Sequence, residues 1–152
     1  MVFSLLSCSM SNPLYDKNLS VLKNITFVSD RDRLSNIVKK NLERSFELYS
    51  DPDAPQELFL DFKISYNVGS GNLTKSVNKI SVSTEYSLYR RVDNTILSSG
   101  SFSRKSTTSS INSLYSIEQS ERNAKERLAY AVASEIEIRL ILWATENEIY
   151  SP

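Results

Sequence analysis

The sequence predicts an α+β fold in which two helices pack on one face of a four-stranded, mainly antiparallel sheet, in the order β-α-β-β-β-α. Three consecutive segments alternate apolar and polar residues with the two-residue period of a strand, and two others repeat apolar residues at helical spacing. The chain has 152 residues, which suffices for one hydrophobic core. We therefore expect residues 19–148 to form a single domain.

The first strand is predicted within residues 19–28, and a helix should follow it directly. Ser29 and Asp32 offer an N-cap with an acidic first turn, and the prolines of segment 51–55 end the helix. Apolar residues at three- and four-residue spacing predict which face of this helix is buried. They are Leu34, Ile37, Val38, Leu42 and Phe46.

A meander of three antiparallel strands is predicted next, with turns at 69–72 and 92–94. Alternation places apolar side chains toward the helices and Lys, Ser and Glu side chains on an outer, polar face. The predicted inward residues are Leu58, Leu60, Phe62, Ile64, Tyr66 and Val68 in the first of these strands, Ile80, Val82, Tyr86 and Leu88 in the second, and Ile96, Gly100 and Phe102 in the third.

The segment 103–116 is rich in Ser and Thr and has no periodicity, so it is predicted to be a loop. Ser116 and Gln119 form a capping-box pattern, which predicts a second helix from 117 to about 147. The predicted stripe of this helix contains Ala124, Leu128, Ala131, Val132, Ile136, Leu140 and Trp143.

Composition argues against several kinds of chemistry. The chain contains no histidine and a single cysteine, so histidine-based proton transfer and an ordinary zinc site are both excluded. The formal net charge is zero, which weakens the case for a nucleic-acid partner. Glu135 and Glu137 are two residues apart on a predicted helix, where their side chains diverge instead of forming a catalytic pair. We expect no enzymatic activity, no catalytic residue, no cofactor and no metal.

The amino-terminal segment has features of an exported precursor. Residues 1–8 contain a short apolar run that ends in Leu5-Leu6-Ser7-Cys8, which resembles a bacterial lipobox with Cys8 as the lipid attachment site. No basic residue precedes Lys17, so the positively charged start of such a segment is missing. Residues 9–18 are predicted to be a tether. The alternative interpretation of Cys8 is a small buried apolar residue.

The order of the elements and several short motifs together resemble the lipopolysaccharide-assembly lipoprotein family LptE, in its alphaproteobacterial form. The resemblance covers nearly the whole chain. Because each motif is short, it rests on the order in which the motifs follow one another and not on any single motif. The motifs are Leu5-Leu6-Ser7-Cys8, Pro13-Leu14-Tyr15, Asp30-Arg31, Glu85-Tyr86-Ser87-Leu88-Tyr89, Ser98-Ser99-Gly100 and Glu137-Ile138-Arg139-Leu140.

The resemblance implies a lipid-anchored protein on the periplasmic side of the outer membrane. Members of the family are plugs and assembly partners of the LptD β-barrel, and they help to deliver lipopolysaccharide to the outer leaflet. The expected partners are therefore this barrel, lipopolysaccharide and the outer membrane. The alternatives are another periplasmic lipoprotein, such as an accessory subunit of a transport system, and, more remotely, a soluble hydrolase.

The distribution of charge suggests where lipopolysaccharide would bind. Residues 75–105 carry six basic and two acidic residues, whereas residues 118–148 carry four basic and seven acidic ones. Lysine and arginine beside Ser and Thr hydroxyls suit phosphate groups. The ordinary alternative is that lysines on strands discourage edge-to-edge aggregation. The candidate lipopolysaccharide-binding residues are Lys75, Lys79, Arg90, Arg91, Arg104 and Lys105.

Overall fold

The computed structural model describes residues 22, 25–47, 53, 55–69, 77–109 and 114–148. The predicted signal segment 1–8 with Cys8, the tether 9–18 and the candidate Lys75 lie outside these residues. The described elements follow one another in the predicted order β-α-β-β-β-α. They are β1 (Ile25–Ser29), α1 (Arg33–Glu47), β2 (Leu58–Gly69), β3 (Val77–Arg90), β4 (Ile96–Ser109) and α2 (Leu114–Glu148).

The four strands form one mixed sheet in the spatial order β1-β2-β3-β4. Strand β1 is parallel to β2, because α1 carries the chain back before β2 begins, whereas β2, β3 and β4 are antiparallel neighbours. The prediction of an α+β fold with a mainly antiparallel sheet is confirmed.

Both helices cover the same face of the sheet and pack against each other. The inward positions of β2 and β3 are apolar except for Thr84, and they meet the buried stripes of α1 and α2 in one core. Fully buried side chains include Leu60, Phe62, Ile80, Val82 and Leu88 from the sheet, Val38 and Leu42 from α1, and Val132, Ile136 and Leu140 from α2.

The connection between β3 and β4 is the turn that the sequence predicts. Asn94 has a φ of 55°, a left-handed conformation that asparagine adopts more readily than most residues. Its N–H donates to the carbonyl of Arg90 at 2.9 Å, and the N–H of Thr95 donates to a carboxylate oxygen of Asp93 at 3.1 Å. The left-handed backbone of Asn94 and the carboxylate of Asp93 therefore close the turn.

The inward assignment of Ile96 is wrong. The pairing of β3 with β4 shifts by one residue between Leu88 and Tyr89, so that Leu88 lies opposite Ser98 but Tyr89 lies opposite Ile96. This irregularity moves Ile96 to the outer face, where its side chain is 62% exposed. Gly100 and Phe102, beyond the irregularity, keep the inward positions that alternation predicts.

The helix boundaries also differ from the prediction. Asp32, instead of Ser29, caps α1, because its carboxylate accepts the N–H of Ser35 at 2.7 Å. Strand β4 continues to Ser109 through a segment that was predicted to be a loop, since its backbone pairs with β3 throughout. Helix α2 already begins at Leu114, so Ser116 lies within its first turn and is not a cap. Ala131 is exposed, and Ala129 and Ala133 are buried in its place.

Helix α2 is the longest element, with 35 residues. Its sequence contains many charged residues, and none of the helices in the described ranges combines the length and apolar character that crossing a membrane requires.

Candidate functional site

The five predicted lipopolysaccharide-binding residues that the structure describes lie in different places on the sheet. Lys79 of β3 and Lys105 of β4 both lie on the outer face of the sheet and are exposed. Lys79 lies opposite Thr107, and Lys105 lies opposite Ser81, so the two lysines are diagonal neighbours across the pair of strands. The structure therefore brings these two predicted residues together.

An open depression of about 670 Å³ surrounds the two lysines at the end of the sheet where β2 and β3 are connected. We call this site the lysine patch. It is lined by Asn67, Gly69, Lys79, Ile80, Ser81, Lys105, Ser106 and Thr107. None of these lining residues is acidic. Glu85, an acidic residue farther along β3, lies opposite Lys63. Among its described lining residues the patch therefore combines two positive charges and no negative one with hydroxyl and amide groups, which suits a phosphate.

Arg104, another of the predicted residues, lies apart from the lysine patch. It is adjacent to Lys105 in the sequence, but it lies on the helix side of β4 and forms an ion pair with Glu135 of α2. Glu135 also accepts a hydrogen bond from Arg139 at 2.8 Å, and Arg139 lies 5.0 Å from the ring centroid of Phe102. Hydrogen bonds from Arg139 and then Arg104, only partly opposed by burial, hold the pKa of Glu135 below its ordinary value.

Arg90 and Arg91 lie at the opposite end of the sheet, about 35 Å from Lys79 at the usual rise per residue of a strand. Arg90 forms an ion pair with Asp93 at 3.6 Å, and Arg91 lies 5.4 Å from the ring centroid of Phe59 on the outer face. The two guanidinium groups thus contact different partners. They do not form one anion site with the lysines.

A second site lies on the helix side of the sheet, between the start of α1 and the first half of α2. We call it the tyrosine groove; its volume is about 520 Å³. The hydroxyl of Tyr66 donates to Asp32 at 2.8 Å, and Arg33 forms an ion pair with Glu126 of α2 at 2.5 Å. The groove is lined by Asp32, Arg33, Leu34, Tyr66, Tyr115, Glu118, Gln119, Glu121, Arg122, Lys125 and Glu126.

The ionisation of the groove follows from these contacts. Burial acts to raise the pKa of Asp32, but hydrogen bonds from Ser35 and Tyr66 outweigh it and lower that pKa below its usual value. Burial and the hydrogen bond to Asp32 together raise the pKa of Tyr66. Asp32 is therefore charged and Tyr66 neutral at pH 7.

The sequence did not reveal this groove. We interpreted Tyr66 as a core residue because of its inward position, and Asp32 only as part of a helix start. One feature of the sequence does point to the groove. Tyr66 comes near the end of its predicted strand, where an inward side chain lies at the edge of the core. The other predicted core aromatics agree better, since Phe62 and Tyr86 are buried and Trp143 packs against the core.

The two carboxylates that are close in the sequence of α2 do not form a pair in the structure. Glu135 contacts arginines, whereas Glu137 accepts a hydrogen bond from Ser45 at 3.1 Å, so the two carboxylates serve different contacts. Within the described part of the chain, no group of three or more potential ligands is placed to hold a metal ion.

The fold resembles that of solved bacterial proteins. No family model and no curated protein matches the chain. A lipoprotein from Caulobacter crescentus CB15 matches with a TM-score of 0.68 and 17% identity, over 91% of this chain and 98% of its own. A minor lipoprotein from Acinetobacter baumannii matches with a TM-score of 0.65 and 10% identity, over 83% and 92%.

A protein from Xanthomonas campestris is a third structural match, with a TM-score of 0.55 and 13% identity. It covers 75% of this chain and 65% of its own length. At these low identities the likeness concerns architecture. The protein shares its fold with solved structures described as bacterial lipoproteins.

Proposed function

We propose that the protein is a lipoprotein of the outer membrane, attached through Cys8 on the periplasmic side, which acts as plug and assembly partner of an LptD-type β-barrel and binds lipopolysaccharide. The shared fold with proteins described as lipoproteins supports the envelope location. The motifs that resemble the LptE family support the barrel partner. The observation that carries lipopolysaccharide binding is the lysine patch.

The chemistry of the lysine patch suits the phosphate groups of lipopolysaccharide. Lys79 and Lys105 are exposed, and no carboxylate is among the described residues that line the depression between them. Lysine binds phosphate as a point charge, and the hydroxyls of Ser81 and Thr107 are further donors. A phosphate group that enters the depression would replace water around both ammonium groups at once.

The outer face of the sheet also suits the inside of a barrel. Its outward residues include many serines, and the lumen of an outer-membrane barrel is polar. They include Ser65, Ser81, Ser83, Ser87, Ser99, Ser101 and Ser103. The hydroxyl groups of such a surface can exchange hydrogen bonds with polar residues of a barrel wall.

The lipopolysaccharide site is tested by charge reversal. The double variant Lys79→Glu/Lys105→Glu should bind lipopolysaccharide about tenfold more weakly or worse, because two attractive charges become repulsive. The double variant Lys39→Glu/Lys40→Glu on α1 makes the same change of net charge away from the patch and should bind normally. Equal loss in both variants would show a nonspecific charge effect and would remove the patch from the proposal.

Arg90 and Arg91, at the opposite end of the sheet from the lysine patch, are tested by a separate variant. Arg90→Glu/Arg91→Glu is predicted to weaken lipopolysaccharide binding with little change in melting temperature. Since these arginines already contact Asp93 and Phe59, we expect a smaller effect than at the lysine patch. Binding equal to that of the wild type at low salt would remove the pair from the site.

The partner and the anchor are tested in the native host. The full chain, purified in detergent, should bring down a large outer-membrane β-barrel in equal amount, and mass spectrometry should find an acylated Cys8 as the mature amino terminus. The Cys8→Ser variant is the control for the anchor. Recovery of an inner-membrane transport complex in place of a barrel would favour the accessory-subunit alternative, and a retained, unmodified Met1 would contradict the lipoprotein assignment for this start.

A further inference from the structure

We propose that the tyrosine groove binds an uncharged oligosaccharide, as a site separate from the lysine patch. The volume of about 520 Å³ falls in the range of ligand-binding clefts, which is roughly 300–1,000 Å³. The proposal concerns the opposite face of the sheet from the lysine patch. It requires neither the lipid anchor nor the barrel partner.

The walls of the groove are held in place by contacts between elements. Asp32 accepts the N–H of Ser35 with one carboxylate oxygen and the hydroxyl of Tyr66 with the other, which fixes the tyrosine of β2 against the start of α1. The ion pair of Arg33 with Glu126 ties α1 to α2 beside it. A cleft whose walls are fixed in this way loses little entropy when a ligand enters.

The charges of the groove select against an ionic ligand. The described residues that line it include four acidic side chains, Asp32, Glu118, Glu121 and Glu126, and three basic ones, Arg33, Arg122 and Lys125. A phosphate would meet carboxylates as well as cations there, in contrast to the lysine patch. A neutral ligand is not repelled by either sign, and its hydroxyls can donate to the carboxylates and accept from the arginines and the lysine.

The two tyrosines indicate a sugar among neutral ligands. Tyr115 is 78% exposed at the start of α2, and Tyr66 is half-buried across the groove, so both present amphipathic rings. Such rings can pack on the apolar C–H face of a pyranose while polar neighbours bind its hydroxyls. A peptide fits less well, because peptide grooves use apolar pockets or a free strand edge, and Leu34 is the one aliphatic residue among the described lining.

The test is a titration of the full, isotope-labelled chain, followed by the chemical shifts of its backbone amides. Two neutral trisaccharides serve as probes, chitotriose for cell-wall glycans and maltotriose for the hexoses of a glycolipid. At least one trisaccharide should give saturable shifts at residues 32–35 and 115–126. The trisaccharide that binds more tightly shows which class of glycan, cell-wall or glycolipid, the groove prefers.

The matched variants are Tyr115→Ala and Tyr130→Ala. Both tyrosines are exposed on α2, but Tyr130 lies outside the groove, so both variants should fold like the wild type. Tyr115→Ala should weaken trisaccharide binding about tenfold, and Tyr130→Ala should leave it within about twofold.

Several results would overturn the proposal. These are the absence of saturable shifts with both trisaccharides, equal binding by Tyr115→Ala and the wild type, displacement of the sugar by inorganic phosphate, or tighter binding of a zwitterionic tripeptide at the same residues. None of them affects the barrel and lipopolysaccharide tests. Conversely, failure to recover a barrel or to see an effect at Lys79 and Lys105 leaves the saccharide titration decisive for the groove.

Discussion

Arg104 and Lys105 are neighbours in the sequence, but they lie on opposite faces of β4 and meet different surroundings. On the helix side, α2 supplies Glu135 as a partner for Arg104, as it supplies Glu126 for Arg33. On the outer face none of the described helices or strands covers the sheet, and Lys105 joins Lys79 in a depression without carboxylates among its described lining residues. The number of basic residues along segment 75–105 therefore exceeds the number that can reach the proposed anion site, because neighbouring residues of a strand face opposite sides of the sheet.

The same comparison separates the two sites at this end of the sheet. The tyrosine groove lies where the helices meet the strands, and its acidic and basic residues nearly balance. The lysine patch lies where the strands face outward, and its described lining residues include two lysines and no acidic residue. The two proposed sites on opposite faces of one sheet thus differ in the ligand that they suit, a neutral molecule in the groove and an anion at the patch, and variants on the two faces should behave differently.

The largest contrast concerns packing on β2. Phe62 is 1% exposed and points into the core, so Phe62→Ala should lower the free energy of unfolding by about 3–5 kcal/mol. Lys63, the next residue, lies on the outer face and is exposed. Lys63→Ala should change the free energy of unfolding by no more than about 0.5 kcal/mol. Urea denaturation of both variants measures the difference. Similar losses of unfolding free energy would mean that Lys63 on the outer face is packed against other residues and would contradict the prediction.

The next contrast concerns Asp32 and depends on pH. Asp32→Ala removes a helix cap and should cost about 1 kcal/mol at pH 7, whereas Asp30→Ala in the same exposed loop should cost little. Because the folded-state pKa of Asp32 is lowered, its contribution is present above the unfolded pKa of about 4 and is lost as the pH falls through the folded value. The two curves of unfolding free energy against pH should therefore converge in acid. A constant difference down to pH 2 would contradict this role.

The smallest contrast compares the two neighbours on β4 directly. Arg104→Gln should lower the free energy of unfolding by about 0.5 kcal/mol, since its partner Glu135 lies near the surface, and should leave lipopolysaccharide binding unchanged. Lys105→Gln should leave stability unchanged and weaken lipopolysaccharide binding. Thermal unfolding and a binding titration on both proteins decide the matter, and any variant that changes both quantities would break the proposed separation of the faces.

Much of the fold could be predicted because hydrophobic periodicity is a local signal. The alternation in β2 and β3 identifies inward residues such as Leu60 and Val82, and the stripe of α1 identifies Val38 and Leu42. What the pattern could not show is the irregular pairing that moves Ile96 to the outer face, because such a shift depends on the register between two strands. The extent of β4 was missed for a similar reason, since Ser and Thr pair well with a neighbouring strand even though they show no apolar period.

The candidate sites were only half predictable. Alternation correctly placed Lys79 on the outer face, where it joins Lys105. It also contained the information that Arg104 faces the other way, but the partner that engages it, Glu135, is remote in sequence and becomes evident only once α2 is docked. The tyrosine groove depends on such remote contacts throughout. Tyr66 of β2 contacts Asp32 at the start of α1, and Arg33 of α1 contacts Glu126 of α2.

The parallel pairing of β1 with β2 also fixes the direction in which the lysine patch points. Ile25, at the start of β1, lies opposite Leu58, which in turn lies opposite Arg90, so the chain enters the domain at the end of the sheet remote from Lys79. If the segment before β1 is held at a surface, the domain becomes a lever about 35 Å long with the lysines near its moving tip. The lysines could then meet a ligand at a distance from that surface, whereas a site beside the point of attachment would meet only ligands at the surface itself.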